Sequence, residues 1–445
     1  MKKVIVVGAG MAGLMATRTL HEAGVEAICL EARPRIGGRT HTDNSLGVSA
    51  DLGAAWIHGP IGNPFTPIAH ELGIEYGETD FINRSGNVVQ AYGKKGEPLD
   101  MVEYTAGHYA GAAAFALQSG SLLVDPPESA PQSLADGLAS LPRPEGMSQA
   151  KQFGFDFWVD LHLTYLCAAD RETINWNLMD TTVRLPGDDY FIYGGGYKAI
   201  TTHLADGLDI RTGVEVTQIA YQDSGAMVES SAGTFAADFV VVTVPLGVLK
   251  ADVIKFSPSL PTKKQEAIQR IGFGQYEKVV LRFDDFYWPR DKQRLISFHD
   301  PAENEPQLFP LWFNIGYYTG EPVILAYHAG ALARFINEWD DETLVGRATE
   351  ALRQMTRNET IPDPVGYVRT GWERDPFSRG SYSFDHVGQK AGDRDTLRQP
   401  VGRLYFAGEA THPHFNASAH GAYESGIWVA RQILKNYYGN VTFSI

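Results

Sequence analysis

The sequence predicts an α/β fold, α+β overall, and three separated stretches support that prediction. A β-branched run at Lys3–Val7 leads directly into a glycine pattern at residues 8–13. The run Asp238–Val244 is apolar almost throughout, as expected of a parallel strand buried on both faces. A third strand-like run ends at Glu409 and precedes a long helical pattern. Together they predict a discontinuous Rossmann-like dinucleotide-binding domain interleaved with a second domain of mixed sheet and helices.

Chain length and the spacing of these stretches suggest how the two domains divide the sequence. A chain of 445 residues is too long for one compact core and suits two domains. We expect the dinucleotide-binding domain to comprise residues 1–75, 194–260 and 399–445. The intervening residues, 76–193 and 261–398, are expected to form a substrate-binding domain.

The glycine pattern at residues 8–13 reads G-x-G-x-x-G. Gly8 permits the tight turn after the strand, and Gly10 lets a pyrophosphate approach the backbone. Gly13 lets the following helix pack closely on the strand. Glu31 lies 18 residues beyond Gly13 at the end of the next strand-like run, where it can bind ribose hydroxyls. The unit predicts a dinucleotide site but does not by itself distinguish a nicotinamide from a flavin.

Periodicity predicts the main elements of the rest of the chain. The predicted strands are Val25–Leu30, Ile210–Tyr221, Met227–Ser231, Lys278–Phe283 and Val323–His328. The predicted helices are Leu14–Ala23, Tyr104–Leu117, Asp341–Met355 and a long helix starting near Ser418.

Charge and composition limit the kinds of partner. A formal net charge of −15 argues against nucleic acid and anionic membranes, which attract basic surfaces. No segment is apolar over a length that spans a bilayer. The two cysteines, Cys29 and Cys167, make a disulfide framework improbable. We therefore expect a cytoplasmic protein, monomeric or homodimeric, without nucleic-acid or membrane partners.

Several segments resemble the flavin-containing amine oxidase family. The run Glu31–Thr40, with its paired glycines and Arg39, resembles the family segment that follows the second strand. The run Ala50–Gly59 resembles the segment that passes the flavin ring, and Phe406–Glu409 followed by His420-Gly421-Ala422 is among the family's most specific patterns. The resemblance covers nearly the whole chain.

This resemblance implies a non-covalent FAD. In the family the acid matched by Glu31 grips the adenosine ribose, and the position of the flavin-linking cysteine of monoamine oxidases is occupied here by Ser381. The implied cofactor-binding residues are Gly8, Gly10, Ala12, Gly13, Glu31, Ala32, Arg33, Gly38, Arg39, Ala55, Trp56, Val216, Trp372, Gly408, Glu409, Ser418 and Ala419.

The resemblance also implies three catalytic residues. Lys278 matches the family lysine that holds a water at the flavin N5 atom, whereas spacing alone favours an exposed strand lysine. Tyr382 closes a segment close to the pattern of polyamine oxidases and lysine-specific histone demethylases, in which it faces the amine. His58 matches the polyamine oxidase histidine that contacts the substrate amine, and a packing histidine is the alternative. Only half of the aromatic cage of monoamine oxidases is present, since Ser418 stands at the second tyrosine position.

Other polar residues are not assigned to the site. The carboxylates Asp180, Asp188, Asp189 and Glu78 are interpreted as solvated loop acids. The run His412–His414 lacks an acid or cysteine cluster that would complete a ligand set, so no metal site is expected.

The resemblance implies an FAD-dependent amine oxidase, closest to polyamine oxidases. Its partners are a small-molecule amine, a polyamine or a related compound, and O₂. The amine is oxidised to an imine, which water hydrolyses to an aldehyde, and O₂ is reduced to hydrogen peroxide. The alternatives are a monoamine oxidase, an amine dehydrogenase, a desaturase-like FAD enzyme and a flavin-binding regulator without turnover.

Overall fold

The computed structural model describes residues 2–81, 83–122, 132–177, 183–298 and 306–438. Helices and several sheets alternate along these residues, which confirms the predicted α/β class. None of the helices within the described ranges has the length and apolar character needed to cross a bilayer.

Five parallel strands form the sheet at the first glycine unit. Their order across the sheet is Leu404–Phe406, Phe239–Val242, Lys3–Val7, Glu26–Glu31 and Asp209–Thr212. In the central strand Lys3–Val7 successive side chains point to opposite faces of the sheet. Val4 and Val6 therefore lie in one hydrophobic core, and Ile5 and Val7 lie in another. Because both faces are covered, the run is apolar without interruption.

One face is covered by helices and the other by a second sheet. The helices are Met11–Glu22, Gly196–Ala205 and Ala419–Tyr438. The second sheet has the strand order Gly233–Ala237, Gly225–Ser230, Val216–Gln222 and Lys255–Ser257. The prediction of one strand over Ile210–Tyr221 is wrong, because Gly213 turns the chain at a φ of +71° and divides it between the two sheets.

A six-stranded mixed sheet forms the other large layer. Its order is Gly366–Arg369, Tyr276–Arg282, Val323–Ala329, Leu311–Phe313, Arg294–Ser297 and Val89–Tyr92. All neighbours are antiparallel except the last pair, which is parallel. The helices Gly330–Asn337 and Asp341–Thr356 belong to this part of the fold, and buried side chains of the second, such as Leu352, pack with Val279 and Leu281.

A group of helices forms one wall of the large cavity that the active-site description below begins with. These are Met101–Leu122, Leu134–Ala139, Gln149–Asp156, the π-helical turn Phe157–His162 and Leu163–Cys167. The first is longer than the predicted Tyr104–Leu117. A π-helical turn is rare and often found at functional sites, and this one contributes side chains to the cavity described below.

Short elements connect these layers. The remaining helices are Phe65–Glu71, Leu246–Lys250, Thr262–Arg270, Gly316–Thr319, Asp393–Arg398 and the 3₁₀ turn Glu409–Thr411. The remaining strands are Thr42–Asp43 with Ala50–Asp51, Gly272–Phe273 with Ser383–Phe384, and Tyr76–Thr79 with Asp189–Ile192 and Trp56–Ile57.

Candidate active site

A cavity of about 850 Å³ lies at the carboxyl ends of the parallel strands. Gly8, Ala32, Thr243 and Gly408, which follow four of the five strands, all line it. This is the edge at which α/β sheets bind ligands, because turns with free backbone groups and helix N-termini meet there.

The glycine turn is shaped for a close backbone approach. Gly8 has a φ of +103°, which favours glycine. A Cβ atom at Gly13 would lie 1.8 Å from the carbonyl oxygen of Gly8, so the helix and strand pack too closely for any side chain there. A Cβ atom at Gly10 would meet no atom of the described residues within 4 Å and would project into the cavity. The turn therefore fits a pyrophosphate at the helix N-terminus.

Glu31 and Arg33 form the wall beside this turn. The backbone N–H groups of Ala9 and Arg33 donate to the two carboxylate oxygens of Glu31, at 2.7 and 2.9 Å. Arg33 is buried, forms an ion pair with Asp375 at 2.7 Å and lies over the ring of Phe377. Each carboxylate oxygen of Glu31 keeps a further lone pair for a ribose hydroxyl.

A second acid, Glu409, is held by four donors. Arg39 Nη1 donates to its Oε1 atom at 2.9 Å, and Ser383 Oγ donates to Oε2 at 2.6 Å. The N–H groups of Ser383 and Ala417 complete the set. Burial raises the pKa of Glu409, but Arg39 and the Ser383 hydrogen bond outweigh burial, so the pKa lies below its usual value. Glu409 is therefore an anion that fixes Arg39 at the cavity wall.

Lys278 is buried, not exposed as its spacing alone allowed. Its Nζ atom donates to the carbonyl oxygens of Asp51 at 2.8 Å and Gly53 at 2.6 Å, and lies 5.6 Å from the ring centre of Trp56. Burial lowers the pKa of Lys278 to about 8, although Asp51 acts in the opposite direction. An ammonium has three donors, so one stays directed away from these carbonyls and can hold a water in the cavity.

Four tyrosines surround the next part of the cavity. The hydroxyl of Tyr382 donates to the carbonyl oxygen of Tyr165 at 3.0 Å, and its ring lies 5.9 Å from that of Tyr276. Tyr276 in turn stacks on Tyr327 at 5.6 Å. Burial raises the pKa of Tyr382 well above its usual value, so its ring is a neutral phenol at physiological pH. Such a wall suits an amine nitrogen and its neighbouring carbon.

His58 is oriented by a buried carboxylate that the sequence interpretation assigned to solvent. Asp189 is only 4% exposed, and its Oδ2 atom lies 2.8 Å from His58 Nδ1. Its Oδ1 atom accepts from the Gly59 N–H at 2.9 Å. The interpretation of Asp189 as a solvated loop acid is therefore wrong: the strand Asp189–Ile192 pairs with Trp56–Ile57 and draws the carboxylate inward.

The other three acids are distributed as follows. Asp188 forms an ion pair with Arg84 near the surface, and Glu78 is exposed. Asp180 lies outside the described residues.

The ionisation of Asp189 settles how His58 presents its ring. Burial raises the pKa of Asp189, but the His58 hydrogen bond and charge outweigh burial and leave the pKa below its usual value. An ionised carboxylate only accepts hydrogen bonds, so His58 Nδ1 carries the proton. In the neutral ring Nε2 is then an acceptor, suited to an amine N–H.

Comparison with known sequences identifies the family. The family described as "Flavin containing amine oxidoreductase" matches residues 11–434, nearly the whole chain. The chain belongs to this family. It is an amine oxidoreductase that uses a flavin, as the sequence patterns predicted.

Three relatives show how far the similarity extends. Polyamine oxidase 2 of Arabidopsis thaliana is 34% identical over 447 aligned residues, covering 98% of this chain and 89% of that protein. Polyamine oxidase 3 of Oryza sativa subsp. japonica is 34% identical over 443 residues, covering 96% of this chain and 88% of that protein. Lysine-specific histone demethylase 1 homolog 2 of Arabidopsis thaliana is also 34% identical, but the match covers only 58% of that protein.

The structure of this amine oxidoreductase brings nearly all of the predicted site residues together. Of the three predicted catalytic and seventeen predicted cofactor-binding residues, all but Gly13 line the cavity described above. Gly13 instead lies at the helix–strand contact, the place that its role in packing requires. Their individual roles stay predictions.

Two serines occupy positions that matter in this family. Ser381 Oγ donates to the carbonyl oxygen of Tyr276 and accepts from the Tyr276 N–H. Ser418 Oγ donates to the carbonyl oxygen of Phe415 and accepts from the Gly421 N–H, which caps the helix Ala419–Tyr438. Both hydroxyls therefore serve the local backbone.

Some cavity residues of this family member were missed from the sequence. Tyr276 could have been found, because it precedes Lys278 by two positions on one strand and so shares its face. Tyr327 pairs with Lys278 across the sheet, a register that no local pattern reveals. Arg294 also lines the cavity, and nothing in its surrounding sequence distinguishes it from a surface arginine.

Proposed function

We propose that this chain is an FAD-dependent oxidase of a polyamine or a related primary or secondary amine, with O₂ as the electron acceptor. One observation carries the proposal: Lys278, Tyr382 and the His58–Asp189 pair line the same cavity as the glycine turn of residues 8–13. The similarity to plant polyamine oxidases supports the amine class.

FAD is favoured over a mononucleotide because the cavity continues to the glycine turn. Gly10 leaves room for a pyrophosphate, and Glu31 and Val216 lie where an adenosine would be held. We propose that the cofactor is not covalently linked, because Ser381 has no thiol and its hydroxyl is already bonded to the backbone. Glu409 and Arg39 would hold the middle of the cofactor.

The residues of the chain position the amine and exclude water. FAD, when bound, supplies acceptance of the equivalent of a hydride from the carbon beside the amine nitrogen. The acceptor atom Nε2 of His58 holds the amine N–H and favours the neutral amine, whose lone pair drives the oxidation. Tyr382 and Tyr276 pack against the reacting carbon. Lys278 holds a water and a positive charge close to the reacting atoms.

The atoms balance in three steps. The amine loses two electrons and a proton to give an iminium ion, which water hydrolyses to an aldehyde and the residual amine. O₂ takes up the two electrons and two protons as hydrogen peroxide.

We further propose that residues 1–75, 194–260 and 399–445 hold FAD and that 76–193 and 261–398 supply the substrate walls. The presence of Lys278 and Tyr382 in the wall of the same cavity as the glycine turn supports this division. We propose a cytoplasmic location, because Cys29 and Cys167 are both free thiols, and a monomer or homodimer.

Anaerobic reduction of the bound flavin by a panel of amines tests the function. The panel contains spermine, spermidine, N-acetylated polyamines, putrescine and aromatic monoamines, and we expect at least one polyamine to bleach the flavin and, in air, to yield stoichiometric peroxide. Acid precipitation should release the flavin as FAD into the supernatant. Lack of bleaching by every amine contradicts the proposal, and bleaching without peroxide in air contradicts its oxidase step.

A further inference from the structure

One lobe of the cavity has a chemistry that the amine reaction does not use. This distal lobe is formed by Phe81, His108, Phe157, Trp158, His162 and Arg294. It adjoins the tyrosine wall, because the charge of Arg294 acts on Tyr276, the neighbour of Tyr382. The lobe is therefore suited to the end of the substrate that does not react.

Arg294 is a buried cation with most of its donors unused. It is 5% exposed, and its side chain makes one hydrogen bond to the described residues, from Nη1 to the carbonyl oxygen of Phe81 at 2.5 Å. Its Nε atom is buried and has no hydrogen-bond partner within the part of the chain that the structure describes. No carboxylate of the described residues lies within 4.0 Å of it. A guanidinium has five N–H donors, and burying its charge without an anion is costly.

The neighbours of Arg294 do not compensate this charge. Its guanidinium lies over the ring of Phe81 at 5.2 Å, and Trp158 stacks on His162 at 5.8 Å. Burial lowers the pKa of His162 to about 4 and that of His108 to about 3, with Arg294 contributing in both cases. Both imidazoles are therefore neutral, and Arg294 is the only charge among the six residues of the lobe.

The carboxylates of the cavity are occupied elsewhere. Among the described residues that line it, the acids are Glu31, Asp189, Glu215, Asp385 and Glu409. Glu31, Asp189, Asp385 and Glu409 each bind groups of the chain itself, and Glu215 is exposed beside Val216. Among the described residues, a second ammonium on the substrate would thus find a cation and aromatic rings in the lobe, but no carboxylate.

We propose that the distal lobe binds an oxygen acceptor at the far end of the amine substrate, an acyl carbonyl or a carboxylate, through the guanidinium of Arg294. The inference rests on the proposed amine oxidase function and narrows its substrate class: the preferred amine has one ammonium end and one oxygen end. Either acceptor can take the in-plane N–H donors of arginine, and a carboxylate can also neutralise the charge.

A set of amines that differ only at the far end tests the proposal. The set is pentylamine, 1,5-diaminopentane, N-acetyl-1,5-diaminopentane and 6-aminohexanoate, and the readout is the apparent Kd and limiting rate of anaerobic flavin reduction. N-pentylacetamide and hexanoate, which lack an amine, are titrated in parallel by the change in flavin absorbance. We expect the oxygen-ended compounds to bind at least tenfold more tightly than the diamine. If N-acetyl-1,5-diaminopentane binds more tightly than 6-aminohexanoate, the far end of the preferred substrate is an acyl group. If 6-aminohexanoate binds more tightly, the far end is a carboxylate.

Variants separate binding from folding. Arg294→Met should raise the apparent Kd of the oxygen-ended compounds about tenfold to a hundredfold, because a charged hydrogen bond is lost. The Kd of pentylamine should stay within twofold of the wild-type value. Arg294→Lys should restore part of the binding. Arg290→Met, which removes an exposed arginine paired with Asp285, is the matched control. It should change neither the Kd of the oxygen-ended compounds nor that of pentylamine.

Two results would overturn the inference: a wild-type preference for the diamine, or an equal loss for all four amines in Arg294→Met with full flavin content. If Arg294→Met does not fold, the Kd values of the four amines in the wild type and in Arg294→Lys test the inference. Failure of every amine to reduce the flavin, with hexanoate still bound, contradicts the proposed function alone.

Discussion

At the scale of single residues, two lysines show that burial by itself does not define a functional group. Lys278 and Lys264 are 4% and 3% exposed, and each donates from Nζ to two backbone carbonyls. Lys278 faces the cavity, whereas Lys264 binds the carbonyls of Thr396 and Leu397 at the end of a helix and is absent from the cavity wall. Their similar surroundings make Lys264 the natural control for Lys278.

Lys278→Met is expected to slow reoxidation of the reduced flavin by O₂ at least tenfold, because the substitution removes the positive charge that stabilises reduced oxygen. Lys264→Met should lower the unfolding temperature by about as much as Lys278→Met does. It should leave the rate of flavin reoxidation unchanged. Stopped-flow mixing of the reduced protein with O₂ measures both. Equal reoxidation rates in wild type and Lys278→Met would refute the assignment.

The pH dependence of reoxidation follows from the same lysine. Burial lowers the pKa of Lys278 from 10.5 to about 8, so the cation is present below that pH and is lost as the pH rises through it. The O₂ rate constant should therefore fall between about pH 7 and pH 9 in the wild type. The decline should be absent in Lys278→Met and present in Lys264→Met. A wild-type rate that rises with pH would show that the neutral amine is the active form.

Asp189 is predicted to position His58. Its two oxygens accept from His58 and from the Gly59 N–H, and an asparagine has only one carbonyl oxygen for these two donors. Asp189→Asn should lower kcat/KM for the best amine about tenfold to a hundredfold. His58→Ala added to Asp189→Asn should lower it little further, because the two act as a unit.

The adjacent Asp188 supplies the control. Asp188→Asn breaks a more exposed ion pair with Arg84 and should leave the kinetics unchanged. Additive losses in the double variant would mean that Asp189 acts independently of His58.

At the scale of elements, sequence patterns predicted what depends on local order. The strand Lys3–Val7 has the predicted bounds, and the helix Asp341–Thr356 ends one residue beyond its predicted end. Features that depend on pairing were missed: the inward turn of Asp189 needs the strand Trp56–Ile57 beside it, and Tyr327 needs its register with Lys278. Trp56 and its partner Phe191 are more than a hundred positions apart and Lys278 and Tyr327 nearly fifty, and no local period encodes such pairings.

The crossing of two helices at Gly426 yields a prediction about an element. A Cβ atom there would lie 2.2 Å from the carbonyl oxygen of Ala12, on the helix Met11–Glu22. Gly426→Ala should therefore push apart two helices whose first turns line the cavity, destabilise the fold by about 1–3 kcal/mol and lower flavin content.

The helix Asp341–Thr356 provides a matched glycine. A Cβ atom at Gly346 would meet nothing within 4 Å, so Gly346→Ala should stabilise the protein by up to about 1 kcal/mol through helix propensity. Thermal unfolding and flavin absorbance per chain measure both variants. Wild-type stability in Gly426→Ala would contradict the close crossing.

At the scale of the whole molecule, the site is assembled from distant parts of the chain. The glycine turn lies near residue 10, Lys278 in the six-stranded sheet, and Glu409 near the last helix, yet all three line one cavity. The sequence could assign these residues because they match a family. It could not predict the distal lobe, whose members come from two helical segments, one strand and one turn without a shared motif.

This assembly predicts that FAD protects segments spread over the chain from hydrogen exchange. ADP, a fragment of FAD, should protect only the segments at the adenosine end of the cavity. In hydrogen exchange of the flavin-free protein, FAD should protect residues 8–14, 53–58, 214–216 and 408–422, and ADP only 8–14 and 214–216, because ADP can fill only the adenosine end. At about a hundredfold excess over its Kd, FAD should stabilise the fold by roughly 2.7 kcal/mol. Equal protection of residues 408–422 by ADP, or protection by FAD confined to residues 8–14, would show that the distant segments do not form one cofactor site.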